Sequence, residues 1–235
     1  MKINAVITAR SGSKSVSHKN IRILGSIPLL GWVVKTTKDT SLVDNVFLST
    51  DSQEYFEIAK KFNKNIILHK RNSELAEDVP SELVLLDLVK KYNSFFDKDS
   101  ILVLIQPTTP FIEGSDINSC IKKLSENSNK NTCISVKKVS EYPEWMIKQK
   151  DACSDIGIAN DMSGSKGVRQ NLVKRWIPNG GIYVIRTNFL LKHKKCIDDE
   201  TLVYEMSKLN SLDIDDEDDF ILCESLIKSG FINKN

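Results

Sequence analysis

The sequence lacks the two standard glycine-rich phosphate loops: neither G-x-x-x-x-G-K-[ST] nor a G-x-G-x-x-G after a strand occurs, which excludes a P-loop and a dinucleotide fingerprint. Histidine is scarce. The three present, His18, His69 and His193, share no metal-ligand spacing with the five cysteines, and no C-x-x-C pair occurs, which argues against a zinc-type site. The odd count of Cys120, Cys133, Cys153, Cys196 and Cys223 argues against a disulfide framework, so reduced, structural thiols in a cytoplasmic protein are expected. No apolar run reaches membrane-spanning length, and Met1-Lys2 leads straight into a strand with no signal-like segment, so a soluble, intracellular protein with no membrane partner is expected. An excess of charge is missing too. The 33 basic and 31 acidic residues nearly cancel to +2, and the lysine pairs are scattered along the chain, which argues against a nucleic-acid or other polyanion surface.

What is present is an alternation of short β-branched runs with helical stretches, over 235 residues that are enough for one large domain or one domain with an inserted lobe. Strands are expected at 2–9, 43–49, 66–69, 100–105, 132–139 and 181–186. Helices are expected near 29–38, 53–62 (capped by Asp51 or Ser52), 81–92, 115–125 (capped by Ser115) and 216–229. That pattern is an α/β fold with a mainly parallel sheet, and in such sheets ligands bind outside the carboxyl ends of the strands.

The strand exits therefore carry the chemistry. The first strand stops at "ARSGSKSVSHKN", where Arg10, Lys14, Lys19 and the nearby Arg22 accompany small residues that let backbone N–H groups approach a phosphate closely. Such a Ser/Gly turn with lysines is also how ordinary surface loops are written. The second exit is "STDS", Ser49 to Ser52, and the fourth strand ends in "IQPTTP", where prolines cannot continue a sheet and fix Gln106 in place. In "LDIDDEDDF", Asp213 and Asp215 flank Ile214, so in extended backbone both carboxylates project to one side while Ile214 points to the core. Two converging carboxylates suit Mg²⁺, whereas Asp216, Glu217 and Asp218 suit the positive end of a following helix. Residues 140–178 break the alternation and read as an inserted lobe, in which Tyr142, Trp145, Met146 and Ile147 suit a subunit interface.

Taken in order, "ARSGSKSVSHKN", "LSTDS", "RNSELAEDVPSE", "LIQPTTPF", "RQNLVKRWIPNGGIYV" and "DIDDEDDF" resemble the acylneuraminate cytidylyltransferases, which activate nine-carbon sialic-type acids. The resemblance runs from Ile3 to about Glu224. It implies a Rossmann-like fold of the nucleotide-diphospho-sugar transferase type, formed by 1–139 and 179–235, with 140–178 as a dimerisation lobe of a homodimer. It implies the reaction of CTP with a free 2-keto sugar acid, giving a CMP-sugar and pyrophosphate. Arg10, Ser13, Lys14, Lys19 and Asn20 would then contact triphosphate and ribose, with Arg10 and Lys19 balancing charge as pyrophosphate leaves. Arg71 and the segment from Ala76 to Ser81 would hold the cytosine. Gln106, Arg169, Gln170 and Asn179 would meet the sugar, and Asp213 and Asp215 would hold Mg²⁺, with Asp213 assisting removal of the hydroxyl proton.

The sequence departs from the family pattern at Ser15, Ser17, Glu82, Ile112 and Ile177, which affects sugar identity more than the nucleotide parts; Arg175 could stand in for the arginine usual near position 177. Activation of 3-deoxy-manno-octulosonate by a related cytidylyltransferase is the alternative within enzymes. A non-catalytic nucleotide-binding relative is the alternative outside them, and an ordinary sugar-1-phosphate nucleotidyltransferase is a third reading.

Overall fold

The computed structural model describes residues 1–12, 16, 18–149, 157–159 and 169–232. The strands are β1 (Ile3–Thr8), β2 (Ile23–Leu24), β3 (Ile27–Pro28), β4 (Asn45–Thr50), β5 (Ile67–Lys70), β6 (Ile101–Ile105), β7 (Thr132–Lys138), β8 (Ile147–Gln149), β9 (Gly157–Ala159), β10 (Trp176–Arg186) and β11 (Leu202–Glu205). The helices are α1 (Leu29–Thr36), α2 (Gln53–Phe62), α3 (Ser73–Ala76), α4 (Ser81–Lys91), α5 (Gly114–Ser125), α6 (Thr187–His193) and α7 (Glu217–Lys228).

Seven strands form one sheet in the order β11-β7-β10-β6-β1-β4-β5. The β1 register, Ala5 beside Val46 on one side and Val103 on the other, is parallel to both neighbours. Strand β10 alone runs against its neighbours, β6 and β7, so the sheet is mostly parallel as the alternation predicts. Residues of β1 split between faces by the period of two: Ala5 and Ile7 join the core under α1, α2 and α5, and Val6 joins the core under α4 and α6. A third cluster binds α1 to α7 through Trp32, Phe111, Ile214 and Phe220, all buried. The result is a three-layer α/β sandwich.

Several details differ from the sequence reading. Helix α5 starts at Gly114 and is capped by Glu113, whose carboxylate and that of Asp116 form a reciprocal capping box, so Ser115 lies inside the helix rather than at its cap. Of the two candidates for α2, Ser52 is the cap, accepting from the Tyr55 N–H at 3.3 Å. Strand β11 and the short helices α3 and α6 were not expected, because four to seven residues give too little period to read. Strand β10 begins at Trp176, five residues before the expected start, and carries a register shift between Pro178 and Tyr183.

Candidate active site

A cavity of about 510 Å³ opens at the carboxyl ends of β1, β5 and β6, lined among others by Arg10, Lys19, Asn20, Arg71, Gln106 and Asp213. Asp215, Ser81, Asp78 and Thr108 complete its polar wall. Each side chain is brought there by a local device.

Lys19 and Asn20 come from a single 3₁₀ turn, Lys19–Ile21, entered through His18 in the left-handed region (φ 50). Both are buried. The Lys19 Nζ donates to the Ile214 carbonyl at 2.7 Å, and the Asn20 amide to the Arg10 carbonyl at 3.0 Å. An ammonium buried against a neutral carbonyl favours a nearby anion, since its desolvation is otherwise poorly offset. Arg10 meets Asp78 at 3.2 Å, and because Asp78 is 71% exposed this screened pair is easily exchanged for a stronger anion. The opening loop is clasped to the "STDS" exit by Asp51, which accepts from the Ser11 N–H at 2.8 Å and from the Ser11 hydroxyl.

Arg71 is buried just beyond β5, its Nε donating to Ser49 Oγ at 3.0 Å and its Nη1 to the Leu75 carbonyl at 3.4 Å. Burial lowers its pKa to about 10, with Asp51 raising it and Arg10 lowering it.

The carboxylate pair behaves as the alternation requires. Ile214 is fully buried, its N–H donating to the Thr108 carbonyl at 2.8 Å and its carbonyl accepting from Lys19, so both its backbone groups are held and its neighbours turn outward. Asp213 Oδ1 is buried without a hydrogen-bond partner. Burial raises the Asp213 pKa, opposed by the Thr108 hydrogen bond and reinforced by Asp215, with Lys19 and Lys137 lowering it. Gly180, at φ +74, leaves room for this group: a Cβ there would stand 2.9 Å from Asp213 Oδ2 and 3.6 Å from Gln106 Oε1. An orphaned carboxylate oxygen sharing a cavity wall with a second carboxylate is chemistry that suits Mg²⁺, which keeps waters and phosphate oxygens rather than a closed protein cage. Asp216 caps α7 through the Asp219 N–H at 3.0 Å, as the helix-end reading of the cluster expects.

Other expected site residues lie elsewhere. Asn179 is buried but does not line the cavity: its Oδ1 accepts from Ser135 at 2.6 Å and from the Gly181 N–H at 3.2 Å, while its Nδ2 donates to Ser211 at 2.8 Å. It holds the Gly180–Gly181 turn in place. Ala76 ends α3 without lining the cavity, and Gln170 is exposed in the turn Arg169–Asn171. Arg22 turns away from the opening loop, stacking on Phe220 at 3.9 Å and pairing with both oxygens of Glu217 at 2.6 Å. Ser13 and Lys14 lie outside the described residues, as does the Arg169 side chain. Glu77, Asp78 and Ser81, within the segment expected at the base, line the wall, whereas sequence reasoning missed Thr108 in the wall and Asp51 against the opening loop; the strand-exit position of "STDS" was the available signal for Asp51.

A mostly parallel sheet whose strand exits gather buried cations beside a carboxylate pair is an α/β domain with its polar cleft where such sheets bind ligands. The family model described as Cytidylyltransferase matches residues 4–217, and the chain belongs to that family. The chain is 33% identical over 221 residues to an N-acylneuraminate cytidylyltransferase of Escherichia coli, covering 94% of this chain and 51% of that protein. It is 31% identical over 225 residues to an N-acylneuraminate cytidylyltransferase of Streptococcus agalactiae, covering 94% and 52%. The chain thus spans about half the length of these curated relatives. It is 27% identical to the post-translational flagellin modification protein B of Campylobacter coli, covering 96% of this chain and 95% of that one. Among solved structures, CMP:2-keto-3-deoxy-manno-octonic acid synthetase complexed with CTP superposes with a TM-score of 0.70 at 13% identity, covering 98% of this chain and 100% of that chain. A 4-diphosphocytidyl-2C-methyl-D-erythritol synthase gives 0.69 at 10%, covering 96% and 98%. These likenesses establish the fold.

Proposed function

We propose that the protein forms a CMP-nonulosonic acid, of sialic, legionaminic or similar type, and pyrophosphate from CTP and the free 2-keto sugar acid. The observation that carries this reading is one cavity lined together by buried Lys19 and Arg71 and by the Asp213–Asp215 pair with its orphaned oxygen. The named activity of the cytidylyltransferase relatives supports the sugar class. Arg10 and Lys19 hold the triphosphate and balance charge as pyrophosphate leaves, and Arg71 with the segment ending at Ser81 holds the base. Gln106, fixed by its N–H on the Gly181 carbonyl at 3.1 Å, faces the sugar. Mg²⁺, held by Asp213 and Asp215, supplies further neutralisation of the phosphate oxygens. The anomeric hydroxyl attacks the α-phosphorus in line and its proton passes toward Asp213. No covalent enzyme intermediate is needed, and positioning and electrostatics do the rest.

The protein acts as a homodimer in the cytoplasm on this reading. Met146 and Ile147, 52% and 69% exposed, support a partner surface on the lobe, and four buried free thiols support a reducing compartment. No helix among the described residues is long and apolar enough to cross a membrane.

The test is pyrophosphate release with CTP, UTP, ATP and GTP against a panel of 2-keto sugar acids. Strong preference for CTP with a nine-carbon acid is expected, because a site built around one base edge leaves polar groups unpaired with the wrong base. Comparable turnover with UTP would overturn the cytidylyl assignment, and preference for the eight-carbon acid would move the enzyme to the octulosonate class.

A further inference from the structure

A chain of polar side chains runs behind the cavity wall, away from the reacting groups. Ser49 of β4 and His69 of β5 are direct partners in the parallel register, so both side chains fall on one face of the sheet. Both are fully buried. Ser49 Oγ lies 2.9 Å from His69 Nδ1, His69 Nε2 lies 3.0 Å from Asp87 Oδ2 on α4, and the Arg71 Nε reaches the same Ser49 Oγ at 3.0 Å.

The chemistry of the two ends fixes the direction of the chain. A guanidinium Nε only donates and an ionised carboxylate only accepts. Arg71 therefore donates to Ser49, the Ser49 hydroxyl donates to His69 Nδ1, and His69 donates from Nε2 to Asp87. This uses the neutral imidazole with its proton on Nε2. Protonation at Nδ1 would aim two donors at one hydroxyl oxygen and take away the acceptor of the Ser49 proton.

We infer that His69 is a positioning residue for the nucleotide: through Ser49 it fixes the Arg71 guanidinium in the cavity wall, and nucleotide affinity depends on its remaining neutral. This rests on the reading of the cavity as a CTP site and adds to it a residue that touches no substrate. The surroundings agree. Burial lowers the His69 pKa, Asp87 opposes this, and Lys91 and Arg71 reinforce it. Lys91 Nζ also donates to Asp87 at 2.7 Å, and Tyr92 packs edge-on against the imidazole with ring centroids 6.1 Å apart. Asp51 and Arg10 act on the Arg71 end of the chain.

Two substitutions separate positioning from packing. His69→Phe keeps a ring in the buried space and removes the acceptor; His69→Asn keeps an acceptor near Nδ1 and cannot titrate. CTP binding by calorimetry on the full chain, at pH 7.5 and pH 5.5, is the readout, with melting temperature as the fold check. His69→Phe is expected to weaken CTP binding roughly tenfold, as for loss of a hydrogen bond to a charged group. His69→Asn is expected to stay near wild type at pH 7.5 and to lose less affinity than wild type at pH 5.5, the titration of the nucleotide phosphates being common to both proteins. Unchanged CTP affinity in folded His69→Phe, or a pH dependence of His69→Asn equal to that of wild type, would overturn the inference and leave the CTP site standing. Failure of the wild-type protein to bind CTP would overturn the site reading and the inference together.

Discussion

Replacing Gly180 by alanine separates what the backbone needs from what the carboxylates need. The residue sits at φ +74, where an L side chain costs about 1–2 kcal/mol. With roughly 2–4 °C lost per kcal/mol in a chain of this size, the melting temperature should fall by about 2–8 °C. The steric part acts elsewhere. The new Cβ would stand 2.9 Å from Asp213 Oδ2, and the carboxylate, as the end of a side chain, relieves the clash by swinging away. Little further stability is lost, but the group that faces the reacting centre is displaced. Misplacement on the ångström scale costs on the order of 10²-fold in rate. The matching control is Gly230→Ala, at φ +78 in an exposed position after α7, which carries the same backbone cost far from the cavity. Melting curves and pyrophosphate release measured on both variants should show similar thermal losses, with turnover lost only at 180. Wild-type turnover in folded Gly180→Ala, or a rate loss equal in the two variants, would refute the idea that this glycine exists to clear the Asp213 carboxylate.

Two further outcomes follow from the site and the lobe. Asp213→Asn and Asp215→Asn should each remove most turnover at ordinary Mg²⁺, and Asp213→Asn should melt no lower than wild type because burial already penalises that charge; near-normal rates in both variants would reduce the cluster to a helix cap. Replacing Trp145 and Met146 together by aspartate should yield monomers in sedimentation with depressed activity, and a double variant that remains a dimer would detach the lobe from assembly.

Much of the fold was legible because the buried strands are short β-branched runs: "INAVIT" and "ILVLI" can face two apolar layers and nothing else. Strand β11, "LVYE", lies at the sheet edge with alternate residues exposed, and its four residues carry no such run. The Asp213–Ile214–Asp215 pattern was readable for the same reason of period, one buried residue between two that turn outward. Asn179 was not readable as a strut. It lies where β10 shifts register, and the period that tells which face a side chain takes fails there. Tyr142 likewise looked like interface material, yet it is buried within its own chain against Trp145, at a ring distance of 5.3 Å. The partners of Arg10 and Arg22 depend on which loops meet in space, and Asp78 and Glu217 stand far from them along the chain.

The reversed direction of β10 has a consequence for how such an enzyme could be remodelled. Trp176 pairs with Lys138, and the Val139 N–H donates to the Arg175 carbonyl at 2.9 Å, so residues 139–175 leave and re-enter the sheet through one closed gate. The two ends of that stretch are already held together by the sheet. Lengthening it adds only the slow, logarithmic cost of a larger loop, about 0.6 kcal/mol per doubling. Strand β10, on which the chain returns, carries Gly180, which faces Asp213 and Gln106, and Gly181, whose carbonyl accepts from the Gln106 N–H. The length of the stretch can therefore change at little cost in stability while the strand that carries Gly180 stays as it is.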